Sequence, residues 1–149
     1  MLEFLSVSRF LIIWILIAIV IFPIQLFVTV PYGRHTNKSW GPMLSNQLGW
    51  IVMETWALVT FWFIYIKYFN ANYYSIFFAI LYTLHYIHRS FIFPLRTKTK
   101  GKEMPLLIAL FALIFNSVNA GCLAYYIAKL SLYPVNYFLH WNFILGFIL

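Results

Sequence analysis

The chain has 149 residues, 64% of them hydrophobic and 22% aromatic but only 9% charged, too little polar surface to cover a soluble globule of this size. Ten Lys and Arg against three acidic residues give a net charge of +7. These charges fall in short gaps between apolar runs rather than on a polar face, which excludes a nucleic-acid patch and suits lipid headgroups and cytoplasmic loops.

The first apolar run, residues 10–30, is uncharged and, at 1.5 Å per residue, spans roughly 30 Å of hydrocarbon. It is too long for a signal-peptide core and lacks a small-residue cleavage site, so it predicts a retained span. Pro31, Gly33, Gly41 and Pro42 break the polar stretch that follows, and a second span is predicted over residues 48–66. A third, over 75–93, is expected to stop at Pro94. Beyond the basic residues Arg96, Lys98, Lys100 and Lys102, a fourth runs over 105–128 with Pro105 in its first turn. A fifth run, 137–149, reaches only about 18 Å and cannot cross. The prediction is an all-α, multi-pass transmembrane helix bundle in a single domain, with four full spans and the start of a fifth. The single cysteine, Cys122, forms no disulfide within the chain and reads as a small packing residue. The sixteen Phe and eleven Tyr read mostly as lipid-facing bulk and interfacial anchors.

Orientation follows from the positive charges near helix ends. One set of loops holds Arg34, Lys38, Arg96, Lys98, Lys100 and Lys102, and the opposite set holds Arg9, Lys67 and Lys129. Six against three places the first set in the cytosol and the amino terminus across the membrane from it.

Polar residues at membrane depth point to function. Glu54 lies about 9 Å below the start of the second span, where a carboxylate must be neutral, paired or facing a wet cavity. A neutral Glu bonding a neighbouring helix is the structural alternative. Counted back from Pro94, Tyr86 lies near 12 Å, His85 just beyond and Arg89 near 7 Å, so this group matches the depth of Glu54. The spacing puts Tyr82, His85 and Arg89 on one helical face, with Tyr86 about 100° away. A buried acid beside a cation and a phenol suits proton handling, although Arg89 alone could snorkel to headgroups. His85 and His88 do not make a metal site: the chain has four His, and His35 and His140 lie elsewhere. Asn116, Ser117 and Asn119, interleaved with Ala120, Gly121 and Ala124, read as small-residue helix packing with interhelical hydrogen bonds.

With those residues in view, Pro31-Tyr32-Gly33-Arg34-His35, Ser39-Trp40-Gly41-Pro42, Met53-Glu54 and the block Leu84-His85-Tyr86-Ile87-His88-Arg89-Ser90-Phe91-Ile92-Phe93-Pro94-Leu95 together resemble the steroid 5-alpha-reductase family. Gly101-Lys102-Glu103-Met104-Pro105-Leu106 and the helix carrying Asn119 are similar to its next portion, so the resemblance covers about residues 31–133. It implies the amino-terminal part of a seven-helix membrane enzyme that passes a hydride from NADPH to the double bond of a 3-oxo-4-ene steroid or related lipid enone. In a eukaryote the membrane would be that of the endoplasmic reticulum, with a lumenal amino terminus. The resemblance gives Glu54 and Tyr86 the catalytic role of hydrogen-bonding the ketone, for which Glu54 must carry a proton. It places Gly33, Arg89 and Lys102 near the nucleotide, and Met53, Tyr82, His85 and Asn119 at the substrate pocket. Lys102 stands where arginine is common, and Met53 where glutamine is frequent. The family's later N-x-H-S-D, R-K-P-G-E and E-x-x-E-W stretches, which supply most of the NADPH site, do not occur here. The expectation is therefore a truncated chain holding the substrate side of a reductase. A nonenzymatic membrane protein that binds a sterol or a partner helix is the alternative.

Overall fold

The computed structural model describes residues 2–31, 35–97 and 101–148. Four helices are long and apolar enough to cross a membrane, and the molecule is an integral membrane protein built almost wholly from helix. Helix α1 (Leu2–Phe27) is followed by strand β1 (Met43–Ser45), α2 (Asn46–Lys67), α3 (Tyr73–Arg96), strand β2 (Glu103–Pro105), α4 (Leu106–Leu130) and the short α5 (Trp141–Ile148).

Helix α2 is the centre of the bundle, and its sequence carries two faces. Met53, Ala57 and Thr60 turn toward α4, where Asn116, Ala120 and Ala124 recur every four residues, so one row of small side chains lets the two backbones approach. Two interhelical hydrogen bonds fasten that seam: Asn116 Nδ2 donates to the Met53 carbonyl at 2.8 Å, and Trp56 Nε1 donates to Ser117 Oγ at 2.7 Å. The packing role read from Asn116 and Ser117 holds, while Asn119 is exposed. The other face of α2 meets α3 through Phe61 and Tyr65, with Ala79 and Ser75 opposite; Tyr65 and Ser75 share a hydrogen bond of 3.1 Å. Asn72 caps α3, its Oδ1 accepting from the amides of Tyr74 and Ser75, so α3 starts two residues earlier than its apolar run.

The two loops on the side where α2 begins are joined by a feature absent from the sequence reading. Met43, Leu44 and Ser45 pair antiparallel with Pro105, Met104 and Glu103. The Asn46 amide donates to the Lys102 carbonyl at 3.0 Å, and the Leu106 amide to the Pro42 carbonyl at 2.8 Å. Each strand thus hands its last hydrogen bond to the first turn of a helix. Gly101, at φ 81°, makes the turn into β2 in a region that strains other residues. Pro105 precedes α4 as the end of β2 rather than standing inside its first turn. Met104 is fully buried beside Gly49, whose missing side chain makes the space.

At the opposite end, aromatic rings gather instead of facing lipid. Tyr74 and Phe77 of α3 hold Phe138 at 4.7 and 4.8 Å, and Phe138 meets Phe143 of α5 at 4.8 Å. This docks the segment after α4 onto the start of α3. Helix α1 touches the bundle through Trp14 and Phe115, 6.2 Å apart, and is otherwise exposed along its span.

Candidate active site

The site is made where α2 and α3 run antiparallel, about two turns beyond the paired strands. Helix α2 starts at Asn46, so Glu54 lies about 12 Å along it, deeper than the apolar run implied. Its residue surface is 4% exposed, and its Oε1 stands 2.7 Å from Nε of Arg89 on α3. That is the length of a charge-assisted hydrogen bond. The guanidinium lies 5.5 Å over the ring of Trp50, one turn before Glu54, and Trp50 in turn meets Phe93 edge-on at 5.8 Å. Arg89 therefore reaches across to the acid instead of snorkelling to headgroups, while its side chain stays 46% exposed.

Below the ion pair runs a column of rings. Tyr86 stacks on Tyr82 at 4.4 Å, Tyr82 on Phe61 at 4.0 Å, and Phe61 on Tyr65 at 5.6 Å. The Tyr82 hydroxyl is buried, with Tyr86 as a neighbour and the Glu54 charge within electrostatic range, yet no partner meets hydrogen-bond geometry. The side of α3 that faces α2 thus carries Tyr82, Tyr86 and Arg89, although spacing alone groups Tyr82 and Arg89 with His85. His85 is exposed and touches Tyr86 edge-on at 5.3 Å.

Arg89 sits in a π-turn, His88–Ile92, that also explains why Pro94 does not end the helix as expected. In an α-helix Pro94 could give no hydrogen bond to the Ser90 carbonyl, and its ring would press on it. The wider turn relieves that contact. The Phe93 amide bonds the His88 carbonyl, and the Thr97 amide bonds Phe93 at 3.0 Å, so the helix resumes and runs to Arg96. Gln47 Nε2 then donates to the Pro94 carbonyl at 3.3 Å, tying α3 to the first turn of α2. Such π-turns concentrate at functional positions. Ser90, at its centre, is fully buried, and its Oγ, like that of Thr55 beside Glu54, has no hydrogen-bond partner.

The remaining candidates are dispersed. Met53 is buried against Met104 and Ala109, on the α4 side of α2. Asn119 is exposed on α4, and Lys102 is exposed in the strand-linking loop. Gly33 lies outside the described residues, as do Arg34, Lys98 and Lys100. Trp50 and Thr55 were missed by the sequence reading. The signal for Trp50 was its position four residues before Glu54, which puts both on one face.

The chain is 32% identical over 133 residues to a steroid 5-alpha-reductase, DET2, of Arabidopsis thaliana, covering 82% of this chain and 49% of that protein. The DET2 protein of Solanum lycopersicum is 36% identical over 101 residues, 63% of this chain and 38% of its own length. A 3-oxo-5-alpha-steroid 4-dehydrogenase 1 of Macaca fascicularis is 28% identical over 119 residues, 78% of this chain and 45% of its own. The chain is a relative of the steroid 5-alpha-reductases. It spans about half the length, or less, of the curated reductases it matches. No family model matches it. The resemblance read from the His85-Tyr86-Ile87-His88-Arg89 block thus agrees with relatives from plants and a primate.

Proposed function

We propose that this sequence forms the substrate side of an NADPH-dependent reductase acting on the carbon-carbon double bond of a 3-oxo-4-ene steroid or related lipid enone, in the endoplasmic reticulum membrane of a eukaryotic cell. The amino terminus is lumenal on this reading, and the strand-linked loops are cytosolic. The observation that carries it is a carboxyl group at membrane depth, 4% exposed, held at 2.7 Å by Arg89 and within electrostatic range of Tyr82, on which Tyr86 stacks, in a relative of steroid reductases. Even when paired, an ionisable pair at membrane depth is rare and costly, and such groups mark functional positions.

NADPH supplies a hydride when bound. The protein's part is electrostatic: reduction at the far alkene carbon builds negative charge on the ketone oxygen, and donors aimed at that oxygen lower the barrier. Tyr86 takes that role, with Glu54 when it carries the proton the role requires, Tyr82 supports Tyr86 from the next turn, and the apolar rings below exclude water. Met53, His85 and Asn119 stay as candidates for the pocket wall, Met53 and Asn119 from the α4 side. Arg89 and Lys102 would hold the nucleotide phosphates, with Gly33 near them. The fit is partial. Both cations are exposed on the side of the paired strands, but Gly41 and Gly101 would meet nothing within 4 Å if given a Cβ, so they form no backbone cradle.

The test is NADPH-dependent reduction of a 3-oxo-4-ene steroid by microsomes carrying the longest gene product that contains this sequence. Glu54→Gln and Tyr86→Phe should each lower turnover at least about tenfold, the scale of a lost oxyanion donor. Unchanged turnover in both would remove them from the mechanism. Sterol binding without any reduction would favour a nonenzymatic role.

A further inference from the structure

Two lysines from different helices meet at the end of the molecule opposite the paired strands. Contacts between α2 and α4 advance in step, from Met53 with Asn116 through Thr60 with Gly121 to Tyr68 with Tyr125, so the two helices run parallel and their carboxyl ends arrive together. Lys67 is the last residue of α2, and Lys129 lies in the last turn of α4. The Lys67 Nζ stands 5.4 Å over the ring of Tyr68, while the Lys129 Nζ stands 5.0 Å over the same ring and 5.4 Å over that of Tyr125. Those rings meet edge-on at 4.8 Å, so one aromatic corner receives two cations. At 1.5 Å per residue, the 22 residues of α2 carry Lys67 about 33 Å from the strands, which is the level of the opposite headgroup layer. Phe69 and Tyr126 are exposed at the same level, as aromatic residues are where acyl chains give way to headgroups.

Charge at this end does not balance. Each helix carboxyl end carries the equivalent of about half a negative charge, and the amino end of α3, capped by Asn72, adds about half a positive one, so two ammoniums leave an excess of at least about one positive charge. Glu54 and Glu103 do not offset it, being paired with Arg89 and Lys38 toward the strands. Glu3 and Arg9 of α1 cancel one another in the count. We infer that Lys67 and Lys129 bind one phosphate group of a phospholipid in the leaflet opposite the paired strands, with Tyr68 and Tyr125 as the shelf on which the lysines rest. A phosphodiester carries a single negative charge and presents a free oxygen to each ammonium. Lysine suits the contact as a compact charge on a long flexible stem, which lets two helices reach one anion. Phe63, exposed one turn before Lys67, lies where the acyl chains would run. The site is independent of the reductase reading, because the residues proposed for that chemistry lie elsewhere in the bundle.

Native mass spectrometry of the chain in detergent tests this, with dioleoylphosphatidylglycerol, with dioleoylglycerol, which lacks the phosphate, and with inorganic phosphate as probes. Phosphatidylglycerol should bind saturably, dioleoylglycerol should not, and millimolar inorganic phosphate should not displace the lipid. Lys67→Gln together with Lys129→Gln should lower the affinity roughly 30-fold, the scale of two interfacial lysines. Lys38→Gln together with Arg96→Gln removes as much charge from the side of the strands and should bind like wild type. Equal retention of phosphatidylglycerol and dioleoylglycerol by wild type overturns the inference, and that comparison needs no variant to fold. Wild-type affinity in the Lys67 and Lys129 double variant overturns it as well. Displacement of the lipid by inorganic phosphate would assign the lysines to a soluble anion and overturn the lipid site.

Discussion

Gly49→Ala is the sharpest test of how the strands are held to the bundle. A Cβ built at Gly49 lies 2.5 Å from Sδ of Met104 and 3.2 Å from both its Cε and Cδ1 of Leu44. Ordinary contact needs about 3.5–4 Å, so the sulfur must retreat by about 1 Å. It has nowhere open to go, because Met104 is fully buried in a cluster with Met53 and Ala109 and is fixed in register opposite Leu44. Overpacking of this kind costs about 1–3 kcal/mol, which is about a 5- to 150-fold shift in the unfolding equilibrium. The assay is equilibrium unfolding in bicelles of wild type, Gly49→Ala, Met104→Ala and the double variant. Met104→Ala removes the obstructing atoms, so the alanine at position 49 should cost less than about 0.5 kcal/mol in that background. Additive penalties would mean that the cost arises away from Met104, since an alanine by itself favours the helix, and the packing account would fail.

Other outcomes follow from the same contacts. Asn116→Ala should destabilise the bundle by about 0.6–1.7 kcal/mol, the range for an interhelical hydrogen bond in a membrane, since the Met53 carbonyl lies within α2 and keeps its helical environment; bicelle unfolding measures it. Tyr82→Phe should leave stability unchanged or raise it by up to about 1 kcal/mol, because the hydroxyl it removes is buried without a partner, and a loss above about 1 kcal/mol would show that the group is bonded. In a Cys122→Ala background, Ser39→Cys and Asn70→Cys should label from opposite sides of the membrane. Labelling of both from one side would break the alternation of spans on which the bundle depends.

The sequence by itself determined the solvent, the number of spans and the family the chain resembles. Long uncharged runs have a single stable home, and a glutamate, a phenol and an arginine at equal depth on consecutive antiparallel helices were legible by counting 1.5 Å per residue. Local sequence was also sufficient for the family resemblance, which the relatives match. Tertiary structure decided the rest. Pro94 reads as a stop because a proline obstructs an α-helix, but a π-turn lets α3 pass it, and that turn carries Arg89. Periodicity alone grouped His85 with Tyr82 and Arg89; packing on Phe61 chose Tyr86 instead, since an angle on a helical wheel does not say which sector meets a neighbour. The pairing of Met43–Ser45 with Glu103–Pro105 joins segments about sixty residues apart, and three-residue strands carry no alternation long enough to announce themselves. Charge depth was readable from the chain, but the partner of Glu54 was a fact about two helices, because an ion pair needs a distance and a sequence supplies only an order.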